Sequence, residues 1–320
     1  MKSSNLLISI LFFLLLIVNA TCLHAKNYLE LVGLPLQNPW GMDFLNDDEV
    51  LITERAGRIV KVVLSTGNTT EVKGIPKVFA KGQGGLLDIV IDRKNEENET
   101  NIYFCYSFRG SKGIGTAVDR GVFREDTISN IRSVFISNHF INSHKHFGCR
   151  LLLIKDYLFA SLGDRGKRDT AQDKKNHSGS VMKIFLNKYN SKTKKTTVFS
   201  IGHRNPQGLA VNPNTNQIWS HEHGPRGGDE INILEEGQNY GWPIITSGKE
   251  YLGGNIGIGT SSPDHISPIW TWSPSIAPSG MAFYNMSMFE EFKGHLLIGS
   301  LKFRSLYLVK LQNDRPISEH

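Results

Sequence analysis

Short apolar runs, bounded by Gly, Asn, Asp and Pro, recur along the whole chain, and helical periodicity is nearly absent. Such runs are typical of β-strands, so the fold is predicted to be all-β. One arrangement recurs: a small or polar residue, an apolar strand, a polar turn and a second apolar strand. Its copies begin at Trp40, Gly85, Gly148, Gly208 and Gly280.

Each copy predicts one blade of a β-propeller, a small antiparallel sheet that buries both faces only by stacking on its neighbours. Strand spacing alone also allows a β-sandwich. The propeller is favoured because the polar residues of the copies fall at equivalent places, beside the first strand or after the second. In a propeller these places converge at the mouth of the central channel. The last apolar strand ends at Leu311, and a polar tail continues to His320.

The N-terminal residues follow the order of a secretory signal. Lys2 precedes an apolar run from Leu6 to Val18, and small residues follow up to Ala25. Residues 1–25 are therefore predicted to be a cleaved signal peptide, and residues 26–320 to form one propeller domain in the periplasm or outside the cell. An uncleaved anchor is the weaker alternative, because the apolar run is short for a bilayer span.

Charge and cysteine content narrow the picture further. The formal net charge is +6 at pH 7, and the basic run from Lys188 to Lys195 lies among Asn, Ser and Thr. This run indicates a solvated hairpin tip, so no nucleic-acid partner is predicted. Cys105 and Cys149 remain after removal of the signal, and an oxidising compartment would allow them to pair. The sequence leaves open whether the two cysteines are close together.

Two polar tracts flank the strand near residue 218 and carry candidate ligands. They read I-G-H-R-N-P-Q-G and H-G-P-R-G-G-D-E-I-N. Arg204 and Asn205 place a guanidinium fork beside an amide, a pair suited to carboxylate and quinone oxygens. The carbonyls of Gly224 and Pro225, with the Glu230 carboxylate, form the mixture of oxygens that calcium favours. The tracts therefore predict a site for an anionic, oxygen-rich cofactor and a hard cation.

Histidines offer a base and a competing metal hypothesis. His146, just before a blade-opening strand, can be neutral near pH 7 and take a proton from a substrate hydroxyl. His144 lies two residues earlier, on the same side of an extended chain, so a two-histidine metal site stays open. His221 and His223 suggest zinc in the same way, although no third ligand follows at a usual spacing.

Three further tracts complete the candidate set. Gln83, in G-Q-G-G-L-L, offers an amide where glycines let the backbone approach a ligand closely. Trp272 to Ser279 predicts a proline-braced wall, and Lys302 ends a strand where its cation can meet an anion. The tract L-G-D-R-G predicts a turn in which Asp164 bonds nearby amides, and no chemistry is assigned to it.

In combination, these tracts resemble one enzyme family. G-Q-G-G-L-L, H-F-G-C-R-L, L-G-D-R-G, G-H-R-N-P-Q-G, H-G-P-R-G-G-D-E-I-N, N-Y-G-W-P, S-P-S-I-A-P-S-G and S-L-K occur in this order between about Asn38 and Leu311. The set resembles the soluble sugar dehydrogenases that depend on pyrroloquinoline quinone (PQQ), the aldose and glucose/sorbosone dehydrogenase family. The resemblance implies a six-bladed propeller exported to the periplasm, with PQQ and calcium as cofactors.

The resemblance also implies roles for individual residues. His146 is similar to the base that takes the C1 hydroxyl proton of an aldose while hydride passes to the quinone, and calcium would polarise the receiving carbonyl. The residues that match quinone-binding positions are Gln83, Arg204, Asn205, Tyr251, Trp272, Ser273, Pro274 and Lys302. Those that match calcium-binding positions are Gly224, Pro225, Glu230 and Tyr240.

One feature departs from the family. Its members continue into an R-I-R-D-type motif that opens the sixth blade, whereas this chain stops at His320 with five visible openings. The last blade is therefore expected to be incomplete. The first functional hypothesis is PQQ-dependent oxidation of aldoses to lactones, with electrons passed to a soluble or membrane acceptor. The second is a propeller that binds a sugar or protein without catalysis, and the third is a metal-dependent lactone or ester hydrolase.

Overall fold

A computed structural model describes residues 30–93, 99–186 and 196–320 of the protein. Residues Gly33–His320 form one compact unit, which contains strands and two short 3₁₀ helices, Arg168–Gln172 and Glu290–Phe292. The predicted all-β fold is confirmed. Within the described ranges, no helix has the length and apolar character needed to cross a bilayer. The predicted signal peptide and the basic run from Lys188 to Lys195 lie outside the described residues.

The strands form five antiparallel sheets, or blades, each with four strands in chain order. Blade 1 consists of β1 to β4: Pro39–Phe44, Glu49–Glu54, Arg58–Val63 and Thr69–Val72. Blade 2 consists of β5 to β8: Leu86–Asp92, Thr100–Gly110, Gly113–Arg124 and Thr127–Ile136. Blade 3 consists of β9 to β12: Leu151–Ile154, Tyr157–Leu162, Ser180–Phe185 and Thr196–Ile201. Blade 4 consists of β13 to β16: Pro206–Val211, Ile218–Glu222, Asp229–Leu234 and Trp270–Trp272. Blade 5 consists of β17 to β20: Pro278–Tyr284, His295–Ser300, Ser305–Gln312 and Arg315–Glu319.

The hydrophobic core is divided among the interfaces between successive blades. Side chains alternate between the two faces of a strand, so each inner blade can present apolar residues to both neighbours. Separate buried clusters join blades 1 and 2, blades 2 and 3, blades 3 and 4, and blades 4 and 5. In the last of these, Trp219 of β14 packs with Ile298 of β18. The first strands of successive blades also contact one another, which places them nearest the common axis.

The five predicted blade openings are confirmed, because each lies within three residues of the start of β1, β5, β9, β13 or β17. The expectation of six blades was wrong for this chain, since the described residues form five sheets. The incomplete blade was expected to be the sixth, and the described residues form no sixth sheet. The polar tail after Leu311 forms β20, which pairs with β19, and Glu319 in this strand accepts a hydrogen bond from the Trp272 indole of blade 4. Backbone pairing, which needs no apolar side chains, explains why this strand escaped the sequence pattern.

Cys105 and Cys149 form a disulfide bond. Cys105 lies in β6 of blade 2, and Cys149 lies just before β9 of blade 3. Both residues are fully buried in the core between these blades. The bond therefore ties the connection that carries His146 to the neighbouring blade.

Candidate active site

Connections at one end of blades 2, 3 and 4 enclose a cavity of about 800 Å³. Gln83 comes from the connection before β5, His146 from the one before β9, and Arg204 from the one before β13. Tyr251 comes from the long connection between β15 and β16. The structure therefore brings four of the predicted site residues to one cavity, including the predicted base.

His146 is held by a buried carboxylate. Its Nδ1 lies 2.6 Å from Oδ1 of Asp164, whose side chain is only 1% exposed, while the imidazole is 12% exposed. The same carboxylate accepts hydrogen bonds from the Gly166 amide at 2.6 Å and the Trp242 indole nitrogen at 2.8 Å. Sequence reasoning predicted that Asp164 bonds nearby amides but missed its contact with His146.

These contacts decide the protonation of Asp164 and the tautomer of His146. Burial alone would raise the pKa of Asp164, but hydrogen bonds from His146, Gly166 and Trp242 outweigh it and lower the pKa below its ordinary value. Asp164 therefore stays ionised and accepts the proton on Nδ1 of His146. This tautomer leaves Nε2 of His146 as the ring nitrogen that can accept a proton from a molecule in the cavity.

The backbone around His146 is shaped by close contacts. His146 has a left-handed φ of 49°, and its amide donates to the Gln83 side-chain oxygen at 2.6 Å. The backbone N–H of Gln83 in turn donates to the His144 carbonyl at 2.9 Å. A Cβ added to Gly163 would lie 2.2 Å from the His146 carbonyl oxygen, so glycine is required at that position. Gln83 thus positions the His146 loop in addition to lining the cavity.

The buried guanidinium of Arg165 holds the same loop in place through hydrogen bonds. Arg165 is 3% exposed, and its nitrogens donate to the carbonyls of Ser143 at 2.6 Å, Lys145 at 3.1 Å and Ile114 at 3.2 Å. The guanidinium also lies 3.7 Å from the centre of the Phe147 ring. Burial lowers the pKa of Arg165 to about 10, so the side chain remains a cation at neutral pH.

Arg204 forms a second fixed cation in the cavity wall. It is 7% exposed, and its Nη1 donates to the carbonyls of His223 at 3.0 Å and Gly224 at 2.7 Å. Its Nη2 lies 3.4 Å from the Tyr251 hydroxyl. The backbone amide of Arg204 donates to the buried Glu222 carboxylate, which orients the start of β13.

The electrostatics of the cavity fit an anionic cofactor. Six cationic side chains and one carboxylate, Asp164, line the cavity. A quinone with several carboxylates would find a preorganised guanidinium at Arg204 and an amide at Gln83, and the volume is adequate for such a ligand. The residues present therefore suit PQQ.

The remaining predicted quinone-binding residues lie outside the cavity lining. Asn205 is 4% exposed, and its side-chain oxygen accepts from the Gly148 amide at 3.3 Å, so it braces the backbone behind His146. Trp272 is buried in the core between blades 4 and 5, where packing accounts for it. Ser273 and Pro274 are exposed, and the Lys302 ammonium donates to the Ser275 carbonyl at 3.0 Å.

The predicted calcium ligands lie before, within and after strand β15. Gly224 and Pro225 follow β14, where the Gly224 carbonyl already accepts from Arg204. Glu230 is buried, and burial followed by repulsion from Glu222 raises its pKa well above the ordinary value.

Tyr240 packs with residues of blade 3, and its hydroxyl donates to the Ile233 carbonyl at 2.6 Å. Among the described residues, no group of three or more His, Cys, Asp or Glu side chains is arranged to hold a metal, which also leaves the zinc alternatives without support. The backbone carbonyls at Gly224 and Pro225 suit calcium chemically.

Two residues of the cavity escaped sequence reasoning. Asp164 lies 18 residues after His146, and only the fold shows that the two meet. Trp242, in N-Y-G-W-P, lies beneath two arginines, with the Arg204 and Arg168 guanidinium carbons 5.4 and 5.5 Å from its ring. The available signal for Asp164 was a carboxylate between the two glycines of L-G-D-R-G, but a turn explains the same pattern.

Comparison with known proteins agrees with this geometry. The Glucose / Sorbosone dehydrogenase family matches residues 36–320. The aldose sugar dehydrogenase YliI of Escherichia coli (strain K12) is 37% identical over 303 residues, which cover 88% of this chain and 79% of that protein. Quinoprotein glucose dehydrogenase B of Acinetobacter calcoaceticus is 27% identical over 253 residues, which cover 68% of this chain and 52% of that protein.

A solved structure shows the same architecture. The soluble aldose sugar dehydrogenase from Escherichia coli in its apo-form superposes with a TM-score of 0.84 at 36% identity, and the match covers 91% of this chain and 87% of that one. The sequence match and the superposition extend over nearly all the described residues. From both, we conclude that this chain belongs to the glucose/sorbosone dehydrogenase family.

Proposed function

We propose that the protein is a PQQ-dependent dehydrogenase that oxidises the C1 hydroxyl of an aldose to a lactone and passes the electrons to a separate acceptor. The observation that carries the proposal is the His146–Asp164 pair inside a cavity lined by six cations. A base and an anion site in one cavity are what such a reaction requires. Family membership and the 37% identical aldose sugar dehydrogenase support the choice of substrate class.

The chain's own residues would orient the sugar and move its proton. His146 takes the C1 hydroxyl proton at Nε2, because Asp164 holds the other ring proton on Nδ1. The imidazolium that forms is stabilised by the adjacent carboxylate, which remains ionised. Arg204 and Gln83 would hold the quinone, which when bound supplies the hydride acceptor that no protein side chain can provide.

Calcium and export are part of the proposal. Calcium is inferred from the family resemblance and from the backbone carbonyl oxygens of Gly224 and Pro225, since calcium favours oxygen ligands of this kind. Chelation tests its role. Export is inferred from the signal pattern of residues 1–25. The Cys105–Cys149 disulfide supports an oxidising compartment.

The test adds PQQ and calcium to the purified protein and measures sugar-dependent reduction of a small dye. His146→Ala should abolish turnover, because the proton acceptor is lost, while the quinone dissociation constant measured by fluorescence titration should change little. His144→Ala is the matched control, since this exposed neighbour makes no contact with Asp164 among the described residues. Loss of quinone binding in His146→Ala would contradict the assigned role.

The two rival functions give different outcomes in the same experiment. A binding propeller without catalysis would reduce no dye with any aldose. A hydrolase would open a lactone in the absence of quinone. Removal of calcium with a chelator should lower dye reduction if the ion is needed, and full activity after chelation would remove calcium from the proposal.

A further inference from the structure

Three lysines surround the mouth of the cavity, and we refer to Lys112, Lys145 and Lys167 as the lysine collar. Lys112 lies in the turn between β6 and β7, Lys145 directly precedes His146, and Lys167 follows the Asp164 turn. All three are exposed and line the cavity. In the part of the chain that the structure describes, no ion pair includes any of them.

The backbone of the lysine collar is fixed by Arg165. One guanidinium donates to the Lys145 carbonyl and to the carbonyl of Ile114, two residues after Lys112. Lys167 follows Arg165 by two residues, and its amide donates to the Asp164 carbonyl at 2.9 Å. A Cβ added to the intervening Gly166 would lie 4.0 Å from Cδ of Lys145, so the stems of Lys145 and Lys167 lie near the same turn. Three separate connections are thus anchored around one buried cation.

The other cations of the cavity already have partners. Arg168 forms an ion pair with Glu250, Arg204 donates to carbonyl oxygens, and Arg165 does the same. The one carboxylate in the lining, Asp164, is occupied by His146. The lysine collar therefore adds positive charge beside His146, and the described residues supply it with no carboxylate partner.

A nearby histidine reports the same field. The pKa of His139 is lowered, first by burial and then by the positive charges of Arg165 and Lys167. A concave mouth lined by one sign of charge concentrates counter-ions and attracts anionic ligands. A neutral hexose would not benefit from this field, whereas an acidic sugar would.

We propose that the aldose oxidised at this site carries an anionic group, a carboxylate or a phosphate, which the lysine collar binds while C1 lies at His146. This inference rests on the proposed function and specifies its substrate class. Arg204 is 7% exposed and lies in the cavity wall, whereas the collar lysines are exposed at the mouth, so the two sets can serve the quinone and the substrate separately.

The experiment compares glucose, glucuronate and glucose 6-phosphate as substrates of the protein loaded with PQQ and calcium. Glucuronate differs from glucose by a carboxylate at C6, so the ratio of their kcat/KM values isolates the charge. Each single substitution, Lys112→Gln, Lys145→Gln or Lys167→Gln, should lower this ratio by about two- to fivefold, and the triple variant by about tenfold or more. High salt should reduce the ratio in the unmodified protein.

Lys293→Gln is the matched control. This exposed lysine lies between β17 and β18, at the end of blade 5 away from the cavity connections, and its loss should leave the ratio unchanged. The kcat/KM values of glucuronate and glucose 6-phosphate are each divided by that of glucose. A larger quotient for glucuronate identifies a carboxylate substrate, and a larger quotient for glucose 6-phosphate identifies a phosphate. Titration calorimetry with glucuronate and inorganic phosphate on the cofactor-free protein gives a readout that does not depend on turnover.

Several outcomes would overturn the inference. Equal losses for glucose and glucuronate in the triple variant would show that the lysine collar does not select charge. Weaker PQQ binding in that variant would assign the lysines to the cofactor. If no sugar is oxidised but the cofactor-free protein binds glucuronate through the collar, the proposed function fails while the anion site stands. If glucose is oxidised and acidic sugars are not preferred, the proposed function stands while the anion site fails.

Discussion

His221 makes the stability of this protein depend on pH, and the effect can be predicted in magnitude. The side chain lies in β14 and is fully buried. A Cβ added to Gly208 on the neighbouring strand would lie 2.3 Å from the His221 Nε2, so the ring packs directly on the backbone without room for water. Burial, with added repulsion from His223 and Arg150, lowers the pKa of His221 to about 3 from an ordinary value of 6.5.

The sign follows from the neutral ring in the folded state. Above the unfolded pKa of about 6.5 both states bind no proton, and the fold keeps its full stability. As the pH falls below that value, the unfolded chain takes up a proton that folded His221 refuses until about pH 3. At about 1.4 kcal/mol for each pKa unit, the cost between about pH 7.5 and about pH 5 is about 2 kcal/mol.

The assay is urea unfolding followed by tryptophan fluorescence at the two pH values. His221→Leu removes the titrating group, so the loss of unfolding free energy on acidification should be smaller by about 2 kcal/mol than in the unmodified protein. Other groups, including buried Glu230, titrate in both proteins and cancel in the comparison. His320→Gln, which removes an exposed imidazole, is the control and should keep the original pH dependence. Identical pH dependence in His221→Leu would refute the reasoning, since it would mean that the folded protein accepts a proton at this position.

Two other predictions address the site and its scaffold. Asp164→Asn should lower kcat on the order of a thousandfold and alter the pH profile, because the His146 tautomer is no longer set, while quinone binding measured by fluorescence persists; unchanged kcat would contradict the pair. Cys105→Ala combined with Cys149→Ala opens a loop of sequence separation 44 and should lower the unfolding free energy by about 3 to 4 kcal/mol in urea titrations. A reducing agent should bring the unmodified protein to the same level, and no effect of either treatment would count against the disulfide.

Local sequence pattern predicted the blades well, since the five openings depend on short apolar strands and on polar turns that are close in sequence. The count of six failed because it came from the family resemblance, whereas the repeated pattern itself gave five. The pattern also missed β20. In this strand Arg315 and Glu319 are polar, and the strand forms by backbone pairing with β19.

Motifs predicted which residues are chemically able to act, but their contacts depend on how loops from different blades meet. Gln83, His146, Arg204 and Tyr251 come together in the cavity as the motif set indicated. Trp272 instead packs in the core between blades 4 and 5. An aromatic residue at the end of a strand can face either the cavity or the next blade. No spacing in the sequence distinguishes these two orientations.

The amino-acid sequence alone was enough to predict the all-β architecture, the five strand-turn-strand units, and a candidate base, cations and carbonyl oxygens near the ends of these units. These features are local, because alternation, turn residues and side-chain chemistry are set within a few positions. Three features became visible in the folded chain: Asp164 orients His146, Cys105 pairs with Cys149, and three lysines line one cavity. Each of these depends on blades stacking side by side, which brings together side chains from separate connections whose distances in space are not encoded in their separations along the chain.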